Sequence, residues 1–191
     1  DSLIVTGAYD VGGLERMAAL AEQASSGPRF LSGIPLLAAG DWWIPFELPD
    51  AHPLARRYQF LRHLTMANYY PRQGKLLANH YARRGDDFFA ASVLSGPRGV
   101  TISCWTEGVT TLLPETMYIA LQSPDPERVS VTFHGLGAWA RVREVVGELL
   151  EPLGLYPERY LVRSFPTPEQ LEAIRSSGET FLAELERGRR T

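Results

Sequence analysis

The prevailing period of the apolar pattern in this chain changes at Gly85. As far as Gly85 apolar residues recur mainly at three- and four-residue spacing, and beyond it they alternate. A change of this kind predicts an α+β arrangement: a helical N-terminal half, then a mostly antiparallel sheet over residues 88–165 with helices packed on one face. With 191 residues, 45% of them hydrophobic and 21% charged, one soluble domain is expected, with 1–85 and 86–191 as the lobes into which it would divide.

Within the first half, "SLIVT" (2–6) reads as a short strand and "GLERMAALAEQ" as a helix with Leu14, Met17, Ala18 and Ala21 on one face. The prolines of "IPLLAAGDWWIPFELPD" permit extended or edge structure, with Trp42, Trp43 and Phe46 expected to cover the core. Asp50 reads as the N-cap of a helix carrying Leu54, Tyr58, Leu61, Thr65 and Asn68 on one face and ending before Pro71; a shorter helix should then run to Gly85. In the second half, strands are expected over 88–94, 100–105, 117–122, 127–133 and 159–165, separated by "SGPRG", "LLPE" and "SPDPE". A helix with Trp139, Val142, Val146, Leu149 and Leu150 as its apolar stripe should cross the sheet, and "TPEQ" opens the last helix as a capping box.

Residues that carry chemistry are present but not in catalytic patterns. Alternation in "VTISCWT" places Cys104, the one cysteine, on the side of Val100 and Ile102, a core position with Trp105 pointing away. One thiol makes no disulfide and fits a reducing cytoplasm, although a chain that starts "DSLIVTGAYD" leaves a processed, exported product as the alternative. His52, His63, His80 and His134 lack metal-ligand spacing, and no metal or cofactor is expected. Gly7, Gly12 and Gly13 do not space as a dinucleotide or phosphate loop and read as a turn that caps a helix. His134 reads as the end of a strand before a glycine turn.

Charge is the most uneven property. Residues 51–85 hold Arg56, Arg57, Arg62, Arg72, Lys75, Arg83 and Arg84 with no Asp or Glu, leaving 12 basic against 22 acidic residues elsewhere. Tyr69 and Tyr70 lie among these cations, an Arg and Tyr combination suited to an acidic protein or a nucleic acid. The first expectation is therefore a non-catalytic interaction or adaptor protein, with no membrane partner. Its competitor is internal neutralisation of those cations by acids at 144–151 and 169–186. The second expectation is a hydrolase or transferase drawing on Asp10 beside the glycine loop, Asp41 beside Trp42 and Trp43, Asp86 or His134, if these converge in one pocket.

Overall fold

A computed structural model describes residues 3–27, 32–96, 100–125, 127 and 130–179. The fold is α+β; among the described residues five strand ladders are antiparallel and two, Phe89–Ala90 with Thr111–Leu112 and Ile102–Thr106 with Tyr118–Gln122, are parallel. Two compact units, Asp1–Asn68 and Tyr69–Thr191, divide the chain, and the division falls inside a helix. Among the described residues no helix is long and apolar enough to cross a membrane.

In the first unit α1 (Val11–Ser25) buries Leu14 and Ala18, and its N-cap is Asp10, which accepts from the Gly13 amide and the Thr6 hydroxyl, each at 3.0 Å. The expected strand at 2–6 is not formed over residues 3–6: Leu3 and Val5 are exposed, and no neighbouring strand satisfies the backbone there. β1 (Leu36–Ala39) and β2 (Trp42–Pro45) make a hairpin closed by Gly40 and Asp41, with Gly40 at φ 62°. Trp42 and Trp43 do not cover the core; they are exposed, and only Phe46 packs against the Leu14, Ala18, Tyr58 and Leu61 cluster.

The next helix, α2 (Ala55–Arg84), runs unbroken through Pro71, against the expected stop. Proline removes one intrahelical bond and crowds the preceding turn. Both flanks are nonetheless engaged: before Pro71, Tyr58, Leu61, Thr65 and Tyr70 are buried, and after it the half-buried Gln73 donates to the Pro157 carbonyl and accepts from Arg159, contacts that offset the cost of the proline. Asp50 is not its cap; it lies before the helix and accepts from Gln59 at 3.3 Å.

The second unit holds two four-stranded sheets. One has the order β3 (Phe89–Ala90), β6 (Thr111–Pro114), β10 (Arg159–Val162), β9 (Glu151–Pro152); the other has β4 (Leu94–Ser95), β5 (Thr101–Thr106), β7 (Tyr118–Asp125), β8 (Ser130–Ala138). Residues 112–115, expected as a breaker, instead supply most of the buried strand β6; Pro114 is its last residue, beyond the reach of the short β3. α3 (Trp139–Val146) and α4 (Pro168–Arg175) pack with these strands around Trp105, Leu113, Ile119, Leu121, Val142, Val146, Val162 and Ile174. α4 keeps the expected capping box of Thr167 and Gln170. It lies so close to β8 that a Cβ on Gly137 would meet Ile174 Cγ2 at 2.2 Å. Residues 180–191, the end of the last expected helix, lie outside the described residues.

Cys104 corrects another expectation. The alternation in β5 holds, but the fully buried face is that of Thr101, Ser103 and Trp105, while Ile102 and Cys104 are half-buried. The Trp105 indole is accepted into the core because its N–H reaches the Ser164 carbonyl at 3.2 Å, and Ser103 donates to the Ser92 carbonyl. Burial still raises the Cys104 thiol pKa.

Arg159, 1% exposed, ties the C-terminal part of α2 to the sheet. It donates to Gln73 Oε1 at 2.8 Å, to the carbonyls of Ala91 and Leu112 at 2.9 and 2.7 Å, and to the Tyr70 carbonyl at 3.3 Å. Its guanidinium carbon lies 5.1 Å from the centre of the Tyr70 ring. Burial lowers its pKa to about 10, so it stays charged at neutral pH. The Tyr70 hydroxyl donates to the Glu158 carbonyl at 2.8 Å and accepts from the Glu115 amide at 3.0 Å.

Arg159→Ala would take a buried donor from these acceptors, one of which, the Leu112 carbonyl, also accepts from the Ala91 amide, and should cost roughly 3–5 kcal/mol of stability by urea unfolding; a loss below about 1 kcal/mol would contradict the assigned role. His63 gives a second prediction, in the first unit. Burial holds its pKa down to about 4, against 6.5 unperturbed. The unfolded chain therefore takes up a proton that the folded one refuses, and stability should fall as pH drops from about 6.5 to about 4, by roughly 2–3 kcal/mol. His63→Gln should remove that part of the slope in a pH series of unfolding curves.

Candidate functional site

The nine residues expected to form an Arg and Tyr surface separate into distinct environments. Arg57 forms a bidentate pair with Glu22 of α1, Nε to Oε1 at 2.7 Å and Nη2 to Oε2 at 2.6 Å. That hydrogen bond lowers the Glu22 pKa and raises that of Arg57. Arg62 pairs with Glu47 at 2.5 Å, and Arg84 with Asp86 at 3.4 Å. Tyr70 is buried around Arg159, and Tyr69 is half-buried. Arg56, Arg72, Lys75 and Arg83 are exposed, and among the described residues none has a carboxylate partner.

Neutralisation is thus partial, and its source differs from the one expected. Within the described part of 144–151 and 169–186, Glu144 pairs with Arg141, Glu151 with Arg163 and Glu172 with Arg175, so these acids serve basic residues of the second half of the chain. The acids that reach α2 come from Glu22, Glu47 and Asp86.

The free cations of the second unit share one face. A helix turns by about 100° per residue, so the anchoring of Tyr70, Gln73 and Gly74 by Arg159 sends Arg72, Lys75, Leu76, Asn79 and Arg83 to the opposite side, within roughly a 100° arc. All five are exposed, Leu76 at 71%. No acidic residue occurs on α2 to offset them. Gly74 leaves room for the guanidinium: a Cβ there would come within 3.3 Å of Arg159 Nη2. Tyr81 falls on the Tyr70 side of α2, and its ring lies edgewise to Phe88 at 4.8 Å and to His80 at 5.2 Å.

The acids and the histidine of the catalytic alternative are not joined. Asp10 is spent on the N-terminus of α1, where the Gly13 amide and then the Thr6 hydroxyl lower its pKa; its own carboxylate takes the place an anionic ligand would need. Asp41 sits in the hairpin turn and Asp86 is paired with Arg84. His134 does not end a strand: it is the extra residue of a β-bulge inside β8, since Leu121 pairs with Gly135 and Gln122 with Phe133. Its Nε2 lies 2.8 Å from Ser123 Oγ, and its ring is 5.9 Å from that of Phe165. No carboxylate among the described residues bonds the other ring nitrogen, so the orienting third group of a nucleophilic triad is lacking there. No group of three or more His, Cys, Asp or Glu side chains gathers as a metal ion would require, again among the described residues.

Sequence reasoning missed Arg159 and the Ser123 and His134 pair. An arginine in "ERYLV" reads as an exposed position of an alternating strand, and nothing local reveals that carbonyls from distant elements surround it. No family model, no curated protein and no solved structure matches the chain.

The two classes of arginine are separable by stability. Arg57→Ala should cost about 1 kcal/mol, as expected of a well-formed bidentate pair, while Arg72→Ala should stay within about 0.5 kcal/mol. Equal losses in urea unfolding would mean that Arg72 is also held by the fold.

Proposed function

We propose that this chain is a non-catalytic interaction protein, and that the C-terminal half of α2 offers its cationic stripe to an acidic protein. The observation that carries the reading is the exposure of Arg72, Lys75 and Arg83 on one helical face with no carboxylate against them among the described residues. Exposed cations that the fold leaves unpaired contribute little to stability, so they are available to set the charge and orientation of an approaching partner.

An acidic protein fits better than a nucleic acid. Base recognition on single strands needs aromatic faces beside the cations. Here Tyr58 and Tyr70 are buried and Tyr81 is engaged by Phe88 and His80. The chain carries a net charge of −3, which opposes a long phosphate backbone everywhere except along the stripe. The half-buried thiol of Cys104 is compatible with a reducing compartment such as the cytoplasm.

The test is a titration of labelled polyglutamate, and separately of a single-stranded oligonucleotide of equal charge, at low and at physiological ionic strength. Polyglutamate should bind more tightly than the oligonucleotide and weaken with salt. The triple variant R72E/K75E/R83E should lose roughly tenfold or more in affinity, whereas R57A should not. Tighter binding of the oligonucleotide would assign the stripe to nucleic acid, and unchanged binding by the triple variant would remove the stripe from consideration.

A further inference from the structure

The stripe is more than a row of charges. Arg72, Leu76, Asn79 and Arg83 follow one another at spacings of four, three and four residues, the alternation by which one helix presents a seam to another. Leu76, 71% exposed, sits at the middle of that seam, with Lys75 and His80 exposed on its two sides. Resting on the acidic-protein reading, we infer that the occupant of this surface is an amphipathic acidic helix, which packs an apolar residue on Leu76 and sets glutamates or aspartates against Arg72, Lys75 and Arg83.

Charge and geometry exclude the other occupants. A second copy of α2 would bring like cations together, since no acid lies on that helix to receive them. A lipid surface needs a broad apolar face to enter the headgroup region, and Leu76 is the lone apolar member of the stripe. An extended acidic peptide would satisfy the cations but would gain nothing from a leucine placed at the helical repeat. From Arg72 to Arg83 the seam is about 16 Å long, or three turns. Such a footprint lies below the size of a permanent interface, so the complex should be weak and readily reversed. The aliphatic stems of Arg72 and Arg83 can lie along the incoming helix while their guanidinium groups reach carboxylates at its flanks.

The experiment compares two peptides of identical composition on the full chain: one of about three heptads with leucine at the seam and glutamate at the flanks, and the other scrambled to remove the repeat. Polyglutamate serves as the unstructured control. The patterned peptide should bind roughly fivefold or more tightly than the scrambled one. Leu76→Gln, a neutral and helix-compatible change at an exposed site, should abolish that advantage while leaving polyglutamate binding unchanged. Equal affinity of the two peptides, or indifference to L76Q, would overturn the helical occupant while leaving the acidic-partner reading intact. Loss of all binding to R72E/K75E/R83E supports both readings, and failure of every acidic probe to bind the unaltered chain overturns both. Residues 180–191 include Glu184 and Glu186; a gain in peptide affinity on changing both to Gln would assign the seam to the chain's own C-terminal segment and overturn the proposal.

Discussion

A buried guanidinium organises the second unit. Arg159 comes from the middle of a sheet and finds no carboxylate among the described residues; its charge is balanced by three backbone carbonyls, the Gln73 side chain and the face of Tyr70. Such a group is costly to desolvate, and what offsets the cost is a set of acceptors held at fixed positions by strands and helix together. Because Tyr70, Gln73 and Gly74 must face inward to serve it, the rotation of α2 about its own axis is settled there. The outward face follows by helical geometry, and the outward face carries the free cations.

The same arrangement explains why the basic segment does not act as one surface. Arg57 and Arg62 lie in the first unit, where the side chains of Glu22 and Glu47 meet them. Arg72, Lys75 and Arg83 lie in the second unit, where among the described residues no carboxylate pairs with them: Glu158 accepts from the backbone amides of Leu153, Leu155 and Arg159, and Asp86 takes Arg84. A charge total of +7 over residues 51–85 thus resolves into pairs that belong to the fold and a shorter stripe that does not.

Legibility in the sequence tracked how local each determinant is. Thr167 caps α4 through bonds that span three residues, as read, and the glycine loop does cap α1, though through Asp10, which the sequence offered as a catalytic acid; the apolar stripe of α3 buries Trp139, Val142 and Val146 as its spacing required. Pro71 misled because its local cost was real but offset by the contacts on both sides of it. "LLPE" misled because proline at the end of a strand is harmless once the neighbouring strand has stopped short. For β5 the alternation was readable but its polarity was not: a tryptophan with a hydrogen-bonded indole outcompeted the isoleucine and cysteine face for the deepest side of the sheet.

The sequence by itself determined the α+β class, the capping box that opens α4 and the gathering of positive charge in one acid-free stretch, since each of these is written in neighbours a few residues apart. Only the tertiary structure decided which of those charges are spent, that Tyr70 serves an arginine 89 positions away, and that Leu76 stands in the open among the cations left over. Ion pairing and burial depend on partners from distant segments, and a side chain's type sets what it can bond without naming which group will arrive beside it.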